Sequence, residues 1–134
     1  MSGDGTGTFD NDDAMEWLSG FGSDGATAAQ GALEAITEMD PLDYLEAEIA
    51  AHALAAAEIV AASRYGDGSR LPKEALPSLK ENASKNNAAK LLSTARKAVN
   101  RVLKNSELRE QWEDSPDIEE WEDDVRELLE RLKG

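Results

Sequence analysis

Three ionisable side chains stand inside the longest apolar stretch of the chain, and they are the first candidates for acid–base chemistry. His52 is the only histidine, and Glu48, one helical turn earlier, could hold it in a His–Glu dyad. Glu58 is bracketed by alanine, isoleucine and valine, so its carboxylate either is partly buried with a raised pKa or reaches solvent. The simpler interpretation of His52 is a half-buried side chain held by a helical neighbour, and catalysis is the alternative.

Clustered acids offer a second kind of chemistry, the binding of a divalent cation or of a basic partner. They form two groups near the ends of the chain: Asp10, Asp12, Asp13 and Glu16, and then Glu119, Glu120, Asp123 and Asp124. The first group resembles half of a calcium-binding loop, but Met15 and Phe21 occupy the positions that need Gly and Glu. We therefore predict no metal site, and we interpret both groups as partner-binding surfaces.

The residue inventory excludes several classes of enzyme. With no Cys and one His, a single chain cannot form a disulfide, a thiolate zinc site or a multi-histidine metal site. It has no P-loop, and Phe21 replaces the first Gly that a nucleophile elbow around Ser23 needs. We assign no catalytic, cofactor-binding or metal-binding residue, and we predict no cofactor.

The net charge of −14 is distributed in three blocks. Residues 1–63 hold 13 acids and no Lys or Arg, residues 64–105 hold 10 basic and 3 acidic residues, and residues 106–134 hold 4 basic and 12 acidic residues. A mostly acidic surface repels nucleic acid and attracts basic proteins. We predict that double-stranded DNA does not bind at physiological salt.

The basic block contains one helical side with four cations: Lys90, Lys97, Arg101 and Lys104. A nucleic-acid interface would need aromatic or polar readers interleaved with them, and none is present. We expect Lys97 and Arg101 to face the chain's own acids, either in the N-terminal helices or in the cluster 119–124.

Hydrophobic spacing places these side chains on helices. Apolar residues recur at intervals of three and four, and no alternating strand pattern of useful length occurs. Asp40 should cap a helix that has Pro41 in its first position and Leu42 at the start of its buried face. The predicted helices run over about 12–19, 26–38, 41–63, 85–104 and 107–113 and from 117 toward the C-terminus, with a further short helix near 73–76.

The predicted fold is all-α, a single compact bundle of about five to seven helices without a sheet, with residues 1–134 in one domain. Because they include three glycines, we expect residues 1–8 to form a flexible segment. The helix over 41–63 is apolar around so much of its girth that it should be central. The predicted core consists of Phe9, Trp17, Leu45, Ile49, Leu92, Val99, Trp121, Val125 and Leu128.

No targeting signal is visible in the sequence. The first residues are acidic and rich in glycine, whereas a secretory signal needs a basic start and an apolar centre. The apolar stretch 47–62 is interrupted by Glu48, His52 and Glu58 and is too short to cross a bilayer. We expect a cytoplasmic protein, monomeric or homodimeric, that does not bind membranes.

The segment Gly5–Trp17 resembles the opening of a family of small acidic bacterial proteins classed as a domain of unknown function. Members of that family begin G-T-W-G-x-G-x-F-x-N-D-x-A-x-D-[WF], and Asp4 stands where they have Trp. The runs Ala56–Ala62 and Ser106–Trp112 resemble the family as well, so the resemblance covers most of the chain in order. It implies a compact helical domain and no particular reaction.

The acidic surface favours a non-enzymatic protein-interaction domain that binds a basic partner. An immunity or antitoxin protein that blocks a basic nuclease toxin is the specific form that such a domain would take. The alternative is a hydrolase that holds a divalent ion with clustered carboxylates. Turnover or thermal stabilisation that depends on a metal would distinguish the hydrolase from the binding domain.

Overall fold

Five helices make up the part of the chain that the computed structural model describes, which is residues 25–40, 42–65 and 87–133. They are α1 (Gly25–Thr37), α2 (Ala47–Tyr65), α3 (Asn87–Lys104), α4 (Glu107–Glu113) and α5 (Ile118–Leu132). These residues include no strand, so the prediction of an all-α fold is confirmed. None of these helices is long and apolar enough to cross a membrane.

The central element is α2, as its sequence predicted. It packs against α1, α3, α4 and α5. Its middle consists largely of alanine, and Ala53, Ala55, Ala56 and Ala57 are fully buried. Because a helix that is apolar on every side must be surrounded, the other helices cover α2 around its circumference.

The predicted core agrees with the observed one wherever the two can be compared. Ile49 is half-buried and packs against the core, whereas Phe9 and Trp17 lie outside the described residues. The other predicted core side chains are all buried: Leu45, Leu92, Val99, Trp121, Val125 and Leu128.

The beginning of α2 differs from the predicted one. The helix starts at Ala47 rather than at Pro41, and Leu42 is 93% exposed, so its predicted burial is wrong. Asp40 Oδ1 accepts a hydrogen bond from the Leu42 N–H at 2.9 Å, and the Asp43 N–H donates to the Asp40 carbonyl at 2.9 Å. Asp40 thus begins a turn, because an Asp side chain that bonds the backbone two residues on competes with helix formation.

The remaining helices lie where the sequence places them, with ends that shift by no more than two residues. Ser106 joins α3 to α4, since its hydroxyl donates to the Val102 carbonyl at 2.7 Å and accepts from the Arg109 N–H at 3.1 Å. The predicted helices at 12–19 and 73–76 and the predicted flexible segment 1–8 lie outside the described residues.

Candidate functional site

The second group of predicted partner-binding acids lies on the first half of α5. Glu119, Glu120 and Asp123 are exposed, and the Asp123 side chain is 78% exposed. Asp124 is half-buried, so this predicted partner-binding residue is less accessible than the other three. The first group, which is Asp10, Asp12, Asp13 and Glu16, lies outside the described residues.

The buried side of α5 determines the direction in which these acids point. Trp121, Val125, Leu128 and Leu132 are buried at helical spacing and hold α5 against the core. Residues on the opposite side of an amphipathic helix must then face solvent. We call Glu119, Glu120 and Asp123 the acidic face, and its position is fixed by a packed helix rather than by a loop.

Glu122 is on the same helix but is already engaged. Its Oε2 accepts a hydrogen bond from Arg109 Nη1 at 2.8 Å, and Arg126 Nη2 lies 3.8 Å from the same oxygen. The Arg109 hydrogen bond is the main cause that lowers the pKa of Glu122, and the charges of Arg109 and Arg126 act in the same direction. Arg109 also donates to the Leu103 carbonyl at 2.9 Å, so this guanidinium joins α3, α4 and α5.

The acidic face itself keeps most of its charge available. Arg126 Nη1 lies 3.7 Å from Asp123 Oδ1, in a pair that is exposed on both sides. Such exposed pairs contribute little to stability and exchange readily with solvent or with another charge. Asp123 therefore remains accessible to an external cation.

The buried acid Glu58 has a structural partner that its sequence did not reveal. Arg131 Nη1 lies 2.8 Å from Glu58 Oε1, and the two side chains are 26% and 7% exposed. Of the two positions considered for Glu58, burial is therefore the one observed. The ion pair connects α5 to α2, which suits a role in fixing the helix that carries the acidic face.

The half-buried position of His52 agrees with the simpler interpretation. His52 is half-buried on α2, and Glu48 is exposed in the first turn of that helix. Within the described ranges, no group of three or more His, Asp or Glu side chains is placed to hold a metal ion.

The structure describes three of the four cations that were predicted to share one helical side: Lys97, Arg101 and Lys104. Arg101 donates to two backbone carbonyls, those of Asn105 and Asp43, so it reaches the acidic N-terminal block through a carbonyl of Asp43 and not through its carboxylate. Lys97 lines a groove beside the C-terminal half of α5, not beside the acids at 119–124. Lys104 is exposed, and the side chain of Lys90 lies outside the description.

A family model, that of a domain of unknown function (DUF4259), matches residues 4–124, which include both groups of predicted acids. The chain belongs to the DUF4259 family. This membership agrees with the resemblance to a domain of unknown function noted from the sequence. No curated protein and no solved structure matches the chain. Since membership of DUF4259 assigns no activity, a function must be argued from the geometry of the described residues.

Proposed function

We propose that this chain is a non-enzymatic protein-binding domain whose acidic face binds a basic partner. The observation that carries the proposal is the outward position of Glu119, Glu120 and Asp123 on a helix whose other side is buried. Because the scaffold is already ordered, binding would cost little backbone entropy.

The charge of the whole chain supports the same kind of partner. A net charge of −14 on 134 residues attracts a basic protein over several ångströms and speeds its encounter with the acidic face. Such steering falls with ionic strength, because the screening length is about 10 Å at 0.1 M salt. A basic nuclease toxin neutralised by an immunity or antitoxin protein is the specific form of partnership that fits this charge.

The experiment compares two sets of three neutralised acids. The test variant is E119Q/E120Q/D123N, and the control variant E38Q/D43N/E48Q removes the same charge from three other exposed acids. Each protein is immobilised as the full chain and exposed to an extract of its native cell at low and at high salt. The wild type and the control should retain a basic protein that the test variant loses and that high salt releases.

Association rates with the captured protein then separate steering from specific contact. The test variant should associate more slowly than the control, and His52→Ala should associate at the wild-type rate. The proposal is wrong if no basic protein is retained, or if test and control variants lose binding equally. If a folded His52→Ala variant loses a catalytic activity that the wild-type protein shows, the role of the protein is catalytic and not binding.

A further inference from the structure

A cationic groove lies between α3 and α5, on a chain that is acidic overall. Its volume is about 520 Å³, which is within the range of small-molecule sites. The lining combines four cations, one acid, one amide and two leucines: Arg96, Lys97, Arg126, Lys133, Glu130, Asn100, Leu103 and Leu129. We call this feature the cationic groove.

Two sets of hydrogen bonds between α3 and its neighbours show how the two helices that form the groove are aligned. Arg96 Nη1 donates to the Leu132 carbonyl at 2.8 Å, which brings the middle of α3 to the end of α5. At the other end, Arg109 bonds both the Leu103 carbonyl and the Glu122 carboxylate. The two helices are therefore antiparallel, and each wall spans seven helical steps, which is about 10 Å.

The cations of the groove differ in how far their charge is neutralised. Lys133 Nζ lies 2.9 Å from Glu130 Oε2, and Arg126 lies near Glu122 and Asp123. Arg96 is held by a neutral carbonyl, so its positive charge is not cancelled. Lys97 is exposed and makes no ion pair within the described part of the chain. The uncompensated charge is thus concentrated at one end, where Arg96 is also held in a fixed orientation.

The apolar part of the groove lining consists of two leucines, and the Arg126 beside them is paired with Glu122 and Asp123. Leu129 is half-buried and Leu103 is 7% exposed, and both contribute to its lining toward the end opposite Arg96. A charged end followed by an apolar wall favours a ligand with one anionic group and one apolar body. Since two neighbouring cations bind a carboxylate or a phosphate oxygen strongly, the anionic group belongs at that end.

We propose that the cationic groove binds a small amphiphilic anion, with its carboxylate or phosphate head at Arg96 and Lys97 and its apolar body along Leu129 and Leu103. This site is separate from the acidic face and requires the opposite charge in its ligand. It also works against the net charge of the chain, so binding must arise from the local arrangement.

The probe for this proposal is octanoate, titrated calorimetrically into the full chain. Octylammonium has the same tail with the opposite charge, and inorganic phosphate has the charge without the tail. Octanoate should bind saturably at one site, octylammonium should not bind, and phosphate should bind more weakly than octanoate. Competition between phosphate and octanoate would show that the charged end is shared.

Two charge-reversal variants locate the site. Lys97→Glu changes the groove, whereas Lys104→Glu makes the same change on an exposed residue of α3 that does not line it. Octanoate affinity should fall at least about tenfold in the first variant, because a charge-assisted contact is lost, and stay within about twofold in the second. Circular dichroism and thermal unfolding establish that both variants keep the fold.

Several results would overturn the proposal. One is the absence of saturable octanoate binding at millimolar concentration, and another is equal loss of affinity in the two variants. If octylammonium binds as well as octanoate, the groove recognises the apolar tail and not the negative charge. A glutamate-rich peptide that binds in the groove while octanoate does not would identify a protein partner instead of a small ligand.

Discussion

The side chain of Glu107 caps α2 from across the fold, since its Oε1 accepts a hydrogen bond from the Ala47 N–H at 2.8 Å. The Glu107 N–H in turn donates to the Leu45 carbonyl at 2.8 Å. The first residue of α4 thus satisfies two backbone groups at the start of α2. This contact accounts for the position at which α2 begins, because free N–H groups in a first turn need an acceptor.

Replacing Glu107 should destabilise the protein through the loss of this cap. We expect Glu107→Ala to lower the free energy of unfolding by about 1 kcal/mol, as for other helix caps, and Glu107→Gln to cost less because its amide oxygen still accepts. Urea denaturation measures both. Glu38→Ala, which removes an exposed acid outside any helix, is the control, and a loss in Glu107→Ala no larger than in this control would contradict the assignment.

The Glu107 cap also shows which structural features the local sequence does not predict. The stripe of α5 and the bounds of α4 follow from local spacing and were predicted correctly. The start of α2 was not, because the acceptor for Ala47 lies 60 residues away and Asp40 supports a turn as readily as a helix start. Local sequence signals do not distinguish a start at Pro41 from a start at Ala47, because a tertiary contact determines which one forms.

The same distinction applies to the candidate site. The outward position of Glu119, Glu120 and Asp123 follows from the buried stripe of their own helix, so it could be predicted. That Arg131 pairs with Glu58 depends on how α5 lies against α2, which no spacing specifies. The sequence indicates only that Glu58 needs some partner, because a single acid among alanines requires a cation from another element.

Gly31 offers a stabilising substitution in α1. It is exposed within the helix, and a Cβ atom added there would meet nothing within 4 Å. Gly31→Ala should raise the free energy of unfolding by about 0.5–1 kcal/mol, because alanine restricts the unfolded chain and favours the helix. Thermal and urea denaturation test this expectation. An unchanged or lowered stability would mean that α1 is not helical at this position in solution.

The buried ion pair between Glu58 and Arg131 should be costly to break on one side. Glu58→Gln would leave a buried guanidinium whose Nε and Nη2 already have no hydrogen-bond partner in the described residues. We expect a loss of about 3 kcal/mol in urea denaturation, at the low end for buried pairs because Arg131 is 26% exposed.

The double variant E58M/R131M distinguishes the pair from simple packing. Replacing both charges with apolar groups of similar length should recover most of the stability lost in Glu58→Gln, because neither charge is then left alone. If the double variant is less stable than Glu58→Gln, packing around these side chains matters more than their charge.

Tyr44 reports on the contact between the segment before α2 and the helix α4. Its hydroxyl donates to Glu110 Oε1 at 2.9 Å. Desolvation of the hydroxyl, the Glu110 hydrogen bond and the negative charges of Glu107 and Glu110 together raise the pKa of Tyr44 to about 12. Ionisation would put a third negative charge beside two carboxylates, so the folded state favours the neutral phenol.

A spectrophotometric titration of the Tyr65→Phe variant tests this shift, since Tyr44 is then the only tyrosine. Tyr44 should stay mostly neutral at pH 11, where an ordinary tyrosine with a pKa of about 10 is mostly ionised. Because the folded pKa is raised, the contact stabilises the protein fully below about pH 10 and loses that contribution as the pH rises toward 12.

Adding Glu110→Ala should bring the titration closer to that of an ordinary tyrosine, whereas adding Glu113→Ala, which changes an exposed acid of the same helix, should leave it unchanged. Tyr44 that titrates near pH 10 in the Tyr65→Phe chain would show that this contact does not form in solution.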